Sequence, residues 1–162
     1  MSFRPRRLLL ASSLLALVAA AACSAAPRGA PRSSRADIVF LLSSHAEVHV
    51  AAELALDETS RARGLMDRRS LTPGTGMVFV FPDVSPHKFW MHNTYIPLDM
   101  IFVGGDRRVV YVEDRAEPLT ETARGPDAPT QFVVEVPGGW ARSHGIEPGT
   151  SVRFTGVPGV SP

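Results

Sequence analysis

The chain has 162 residues, of which 44% are hydrophobic and 20% charged, and its formal net charge is +1. This length allows one compact domain of ordinary size. Six of the 17 basic residues lie within the first 35 positions, so 11 basic residues face 16 acidic ones from Asp37 onward. Because a nucleic-acid-binding domain needs a basic surface, we expect no nucleic-acid partner.

The first residues have the layout of an export signal. A basic start with Arg4, Arg6 and Arg7 precedes an apolar run from Leu8 to Ala22. The run is shorter than the roughly 20 residues of a membrane-spanning helix, and it ends on small residues, as cleaved signals do. We predict that residues 1–22 are a signal peptide; the alternative is a retained membrane anchor.

The single cysteine, Cys23, directly follows the apolar run. Its position resembles the lipobox of bacterial lipoproteins, in which the cysteine is lipidated and becomes the new N-terminus; simple cleavage near Ala22 is the alternative. We expect Cys23 to carry a lipid that anchors the exported chain to the periplasmic face of a bacterial membrane. Residues 23–36 are rich in Pro, Ala, Ser and Arg, which predicts a flexible tether.

Alternating polarity indicates that a β-rich domain follows, over residues 37–156. From Ala46 to Leu56 apolar and polar side chains alternate, which predicts a half-buried strand or two short ones. Asp57 or Thr59 can then cap a short helix, and Gly64 shortens or bends that helix.

The middle of the chain predicts strands separated by turns. "MVFVF" (Met77–Phe81) is typical of a central strand, because it is dense in aromatic and β-branched residues and is closed by Pro82. "KFWMHNT" (Lys88–Thr94) predicts a further strand. Leu98–Val112, interrupted by "GGDRR", predicts a hairpin.

The last third begins with a polar loop over Arg115–Thr130 that contains three prolines. Loops of this length in a small domain are functional or loose. "QFVVEV" (Gln131–Val136) predicts a strand, "GGWARSHG" a one-turn helix, and "EPGTSVRF" a turn with a final strand. We expect a disordered tail over residues 157–162.

Metal binding is the first chemistry that the histidines and methionines suggest. Met91 and His92 are adjacent, however, so on a strand they point to opposite faces. His45 and His49 are four residues apart, a spacing that brings two imidazoles together on a helix, whereas this stretch predicts a strand. We therefore expect no metal and no cofactor.

A catalytic site is no better supported by the sequence. Ser143 and His144 are sequence neighbours without the third group that a covalent mechanism needs. Asp83, Asp99 and Glu135 are possible acids or bases, but no pattern places two of them together. These observations favour a non-catalytic domain.

Polar side chains crowd around Trp90, and this suggests a binding pocket. Trp90 offers a large surface with one donor, Asn93 and Thr94 add short polar groups, and Asp99 adds a charge. The alternative is a satisfied polar cluster in the core, with Asp99 paired to Arg63 or to Arg68.

Four sequence blocks resemble domain-of-unknown-function family 192: "RARGLM" with Arg68, "GMVFVF", "FWMHNTYIPLDMIF" and "GIEPG". The resemblance implies an α+β, mostly β fold: a small, partly closed antiparallel β-barrel-like domain with one or two short helices, found in bacteria and archaea and often exported. It implies no activity. The candidate ligand-binding residues, all at positions of the family pattern, are Arg63, Met66, Trp90, Asn93, Thr94 and Asp99.

We therefore expect an envelope lipoprotein that binds a small polar ligand, a sugar or a polar metabolite. One alternative is a structural or assembly partner in the cell envelope that acts through protein contacts, with Arg115–Thr130 as the contact surface. A second alternative is an enzyme acting on envelope glycans, which would need two carboxylates in one cleft.

Overall fold

The computed structural model describes Met1 and residues 35–161, which form one seven-stranded sheet and two short helices. The predicted signal peptide and Cys23 lie outside the described residues. Among the residues described, no helix has both the length and the apolar character needed to cross a membrane. The elements in chain order are β1 (Arg35–Leu41), β2 (Glu47–Ala55), α1 (Glu58–Arg63), β3 (Thr75–Ser85), β4 (Leu98–Val103), β5 (Val109–Ala116), β6 (Thr130–Pro137), α2 (Trp140–Ser143) and β7 (Ser151–Thr155).

The strand order is β5-β4-β6-β3-β2-β1-β7, with β3 at the centre. Neighbouring strands are antiparallel except β2 and β3, which are parallel. The two edge strands meet at one end, where Arg108 bridges Ser151 and the Val109 N–H donates to the Thr150 carbonyl at 2.9 Å. The sheet is thus a half-barrel, which confirms the predicted mostly β, partly closed fold.

Both faces of the sheet bury apolar side chains, because successive residues of a strand point to opposite faces. The barrel cluster fills the half-barrel and draws residues from all seven strands, and Val134 of β6 belongs to it. The outer cluster lies on the other face and contains Val133 of β6. Strand β6 is therefore buried on both sides. Other members of the outer cluster are Leu65, Met77, Phe79, Met91, Met100 and Phe102.

The predicted helix after β2 is confirmed, with Asp57 as its N-cap. The Asp57 carboxylate accepts from the Ser60 N–H at 2.7 Å, and the Ser60 hydroxyl accepts from the Asp57 N–H at 3.1 Å. This reciprocal pair satisfies two N–H groups that a helix start leaves without partners. Gly64 ends the helix at φ 49°, a backbone conformation that favours glycine.

The predicted strand over Lys88–Thr94 is wrong. In this segment only Phe89 joins a β-bridge, with Arg124, and the chain then turns at Asn93, whose φ is 50°. Pro86 and Pro97 flank the segment and lack the N–H that a ladder needs. The two prolines therefore outweigh the high β propensity of the residues between them. Residues 86–97 form an ordered loop over the outer cluster.

The domain bounds differ from the predicted ones at both ends. Arg35 and Ala36 belong to β1, where Ala36 pairs with Ala52 and is 3% exposed, so they are not part of a tether. At the other end Val157 is 4% exposed and packs in the barrel cluster. The folded domain therefore includes residues on both sides of 37–156.

Candidate functional site

A cavity of about 310 Å³, here called the α1 cavity, lies over the outer cluster between α1 and the loop 86–97. Three of its phenylalanine rings contact one another: Phe89 packs edge-on against Phe79 at 4.9 Å and against Phe81 at 6.2 Å between ring centroids. The lining residues are Glu58, Arg61, Ala62, Arg63, Gly64, Leu65, Met66, Phe79, Phe81, Lys88, Phe89, Trp90, Thr94 and Glu135. Such an apolar, aromatic cavity with a few polar groups is typical of small-molecule sites.

Glu135 is the most buried polar group of the cavity. On β6 it shares a face with Val133, and its register partners are Met77 of β3 and Met100 of β4. The residue is 4% exposed and lines the cavity, and no hydrogen bond within the described chain contributes to the pKa of its carboxyl. Burial raises the pKa of Glu135 to about 8, although the charge of Arg68 acts in the opposite direction.

Arg68 does not neutralise Glu135, because its guanidinium is engaged by another carboxylate. Its two terminal nitrogens donate to the two oxygens of Glu53 at 2.8 and 2.7 Å, in the bidentate geometry that suits these groups. The hydrogen bond from Arg68 lowers the pKa of Glu53. The ionised pair is thus Arg68 with Glu53, and Glu135 is left as a mostly neutral acid at pH 7.

Basic side chains line part of the α1 cavity. Arg61 is held by two backbone carbonyls, of Leu56 at 2.6 Å and of Val80 at 3.0 Å. Lys88 donates to the Gly125 carbonyl at 2.7 Å and to Asp127 at 2.8 Å. With the exposed Arg63, three basic residues line the cavity beside one exposed acid, Glu58, while Lys88 is paired with Asp127 outside the lining.

Four of the six predicted site residues line the α1 cavity: Arg63, Met66, Trp90 and Thr94. Trp90 is 54% exposed, so its ring is accessible from solvent. Thr94 is buried, and its hydroxyl donates to the His92 carbonyl at 3.2 Å. The structure therefore brings together residues from the end of α1 and from the loop 86–97 in the lining of one cavity.

Asn93 and Asp99 lie outside the cavity. Asn93 occupies a turn, where asparagine tolerates a positive φ, and its carbonyl accepts from the Asp67 N–H at 2.9 Å. Asp99 is fully buried on β4 and shares a strand face with Ile101 of the barrel cluster. Strand alternation thus turns Asp99 away from the cavity.

Asp99 is satisfied by the backbone. One carboxylate oxygen accepts from the Arg115 N–H at 2.8 Å and from the Gly139 N–H at 2.7 Å. The other oxygen accepts from the Ala141 N–H at 2.8 Å, at the start of α2. The predicted pairing of Asp99 with Arg63 or Arg68 is wrong. Asp99 ties β5 and α2 to β4.

The polar loop after β5 covers the loop 86–97. Phe89 and Arg124 exchange two backbone hydrogen bonds at 2.8 and 2.7 Å, and the Met91 N–H donates to the Thr120 carbonyl at 2.8 Å. The Leu119 N–H donates to the Thr94 carbonyl at 3.1 Å. This part of the predicted loop is therefore ordered, and it fixes the position of the residues that line the cavity.

Glu135 and the phenylalanines of the cavity are absent from the predicted site. A signal for Glu135 was available, since one glutamate interrupts the apolar strand "QFVVEV". Charged residues are almost never fully buried unless they are paired. A glutamate in a strand that is apolar on both sides is thus a candidate functional group. Among the described residues, no group of three or more His, Cys, Asp or Glu side chains is placed to hold a metal ion.

Comparisons with known proteins agree with this fold. No curated protein matches the chain. A protein of unknown function from Novosphingobium aromaticivorans is 39% identical, with a TM-score of 0.71 over 80% of this chain and 94% of that one. A proposed transcription regulator from Sinorhizobium meliloti is 32% identical, with a TM-score of 0.72 over 74% of this chain and 93% of that one. The family model described as "Uncharacterized ACR", DUF192, matches residues 40–154, and the chain belongs to this family.

Proposed function

We propose that the domain is a non-catalytic binding module that holds a small polar ligand, a sugar or a polar metabolite, in the α1 cavity. One observation carries the proposal: the Glu135 carboxyl is largely buried, lines an aromatic cavity, and has no hydrogen bond among the causes that set its pKa. Buried polar groups are nearly always satisfied, and a ligand that reaches Glu135 would supply the missing partner.

The geometry favours binding over glycan cleavage. Cleavage needs two carboxylates placed on either side of one bond. Asp99, one of the acids considered for such work, points away from the cavity and is held by three backbone N–H groups. Of the acids that line the cavity, Glu58 is exposed at the entrance and Glu135 is buried at the base.

We further propose that the module works on the periplasmic face of a bacterial membrane, anchored by a lipid on Cys23. The support is the order of the N-terminal residues: a basic start, a short apolar run, and the single cysteine directly after small residues. The described domain begins only at Arg35, so residues 24–34 separate it from the proposed anchor.

Binding is tested by a thermal-shift screen of sugars and polar metabolites against the purified chain and two variants. Trp90→Ala removes a cavity wall, and Tyr95→Ala removes an exposed aromatic of the same loop that does not line the cavity. A ligand at 100 times its Kd stabilises the folded state by about 2.7 kcal/mol, so a true ligand raises the melting temperature measurably.

We expect at least one compound to stabilise the unmodified chain and Tyr95→Ala, with the shift lost in Trp90→Ala. Both side chains are exposed, so neither substitution should by itself change the melting temperature much. The proposal is contradicted if no compound shifts the melt, or if the shift survives unchanged in Trp90→Ala.

A further inference from the structure

Among residues 35–161, no side chain donates a hydrogen bond that contributes to the pKa of the Glu135 carboxyl. Its register partners on the two neighbouring strands are Met77 and Met100. A thioether donates no hydrogen bond and accepts only weakly. Of the two buried polar side chains that line the cavity, Thr94 already donates to the His92 carbonyl, and Glu135 is the acid.

The charges around the cavity disfavour a cationic ligand. Arg61, Arg63 and Lys88 line the same cavity as Glu135 and would repel a cation there. An ammonium group would also require Glu135 to ionise, and an ionised carboxylate in a buried, aromatic site is costly. The vicinal hydroxyls of a sugar both donate and accept hydrogen bonds, so they fit the carboxyl in either protonation state and are not selected by it.

A protonated carboxyl presents a different pattern: one O–H donor beside one carbonyl acceptor. The complementary edge is an acceptor beside a donor, as in a primary carboxamide or a cyclic lactam. The phenylalanine rings and the accessible Trp90 ring favour a flat apolar body, since aromatic groups stack or meet edge to face.

On the basis of the proposed function, we propose that the α1 cavity selects a neutral ligand with a carboxamide or lactam edge on a flat apolar body. This edge pairs with the Glu135 carboxyl through two hydrogen bonds. The proposal narrows the polar metabolites to one class and ranks sugars and organic cations below that class as ligands.

The test compares four probes by calorimetric titration: benzamide, benzylamine, benzoate and methyl β-glucoside. Each is titrated into the unmodified chain, Glu135→Gln and Glu135→Leu, at pH 6 and pH 9.5. Glutamine keeps a donor beside an acceptor without titrating, whereas leucine removes both. Melting curves at both pH values confirm that each variant is folded.

Other charged groups face Glu135, and the glutamine variant controls for them. Glu58, Arg61, Arg63 and Lys88 line the same cavity, and Arg68 with Glu53 lies beside its base. All of these remain in Glu135→Gln. A pH effect that is present in the unmodified chain and absent in this variant therefore belongs to Glu135.

We expect benzamide to bind most tightly at pH 6 and to lose about tenfold or more in affinity at pH 9.5, where the carboxyl has ionised. Glu135→Gln should keep the pH 6 affinity and lose the pH dependence, and Glu135→Leu should bind about tenfold more weakly. Tighter binding of benzylamine, benzoate or the glucoside than of benzamide overturns the amide class and leaves the binding function standing. Failure of all four probes overturns the amide proposal, and the thermal-shift screen then decides the binding function separately.

Discussion

Glu135 is the residue at which stability and proposed function conflict. An unpaired acid is placed between Met77 and Met100, where an apolar side chain would be the more stable choice. Residues that break a local rule of folding in this way are expected at functional sites. This conflict should make the free energy of unfolding depend on pH, which can be measured without a ligand.

The ionisation of Glu135 should make the free energy of unfolding depend on pH. Its pKa is about 8 in the folded chain and 4.5 for the ordinary side chain. Between these values the folded state binds more protons than the unfolded state, so the free energy of unfolding falls as pH rises, by up to about 1.4 kcal/mol per pH unit. The stabilisation that comes from the protonated Glu135 carboxyl is complete below pH 4.5 and is lost by the time the pH passes 8. Urea denaturation at pH 5, 6, 7 and 8 measures the slope.

Glu135→Gln is the matched control for this prediction, because it cannot titrate. Relative to this variant, the unmodified chain should lose stability steadily from pH 5 to pH 8. Parallel stability curves for the two proteins would show that Glu135 ionises in the folded chain as it does in the unfolded one.

Asp99 should contribute to the stability of the fold and not to ligand binding. Replacing its carboxylate with an amide removes the charge and replaces one of the two acceptor oxygens with an NH2 donor, so at least one of the three backbone N–H groups loses its acceptor. We expect Asp99→Asn to lower the free energy of unfolding by about 2 to 4 kcal/mol. The exposed Asp106→Asn, measured by the same urea denaturation, should change it by less than about 0.5 kcal/mol. At temperatures where Asp99→Asn is folded, it should still bind the cavity ligand; loss of binding would return Asp99 to the site.

At the scale of elements, the wall of the cavity depends on how α1 begins. Asp57 and Thr59 were equivalent cap candidates in the sequence, and the structure gives the role to Asp57. Asp57→Ala should lower the melting temperature by a few degrees and weaken ligand binding, because the helix start loses its acceptor. Thr59→Ala, within the same helix, should do neither. Equal melting temperatures for the two variants would rule out the capping role.

Local pattern predicted most elements but not their long-range pairing. The alternation before Asp57 and the runs "MVFVF" and "QFVVEV" indicated β2, β3 and β6, because burial imposes a period on the sequence. Strand β1 was missed: it carries a continuous apolar stretch, "IVF", without a clean period. The parallel pairing of β2 with β3 likewise cannot be predicted from the local sequence, because α1 and the turn after it decide which strands meet.

The site was predicted in part for a similar reason. Crowding around Trp90 identified four residues that line the cavity, because they lie on one loop and on the neighbouring end of α1. Which face Asp99 takes depends on where β4 begins, and starting at Leu98 turns Asp99 toward α2. Glu135 joins the site from a strand more than 40 residues after Trp90, so only the sheet order places it there.

At the scale of the whole molecule, the anchor and the domain should be separable. Cys23→Ala should abolish incorporation of a labelled fatty acid and move the chain from the detergent phase to the aqueous phase in a detergent partition. The melting temperature should not change, because β1 begins only at Arg35. Unchanged labelling in Cys23→Ala, or aqueous partition of the unmodified chain, would contradict lipidation at this cysteine.

The most direct test of the central claim, that the α1 cavity is the ligand site, uses the two tryptophans of the chain. Trp90 lines the cavity and is exposed, whereas Trp140 is buried in the barrel cluster on the other face of the sheet. In a nitrogen-15 spectrum each indole N–H gives its own signal. Titration with benzamide, or with the strongest compound of the thermal-shift screen, should move the Trp90 signal and leave the Trp140 signal in place. Saturating binding that leaves the Trp90 signal unmoved would contradict the account.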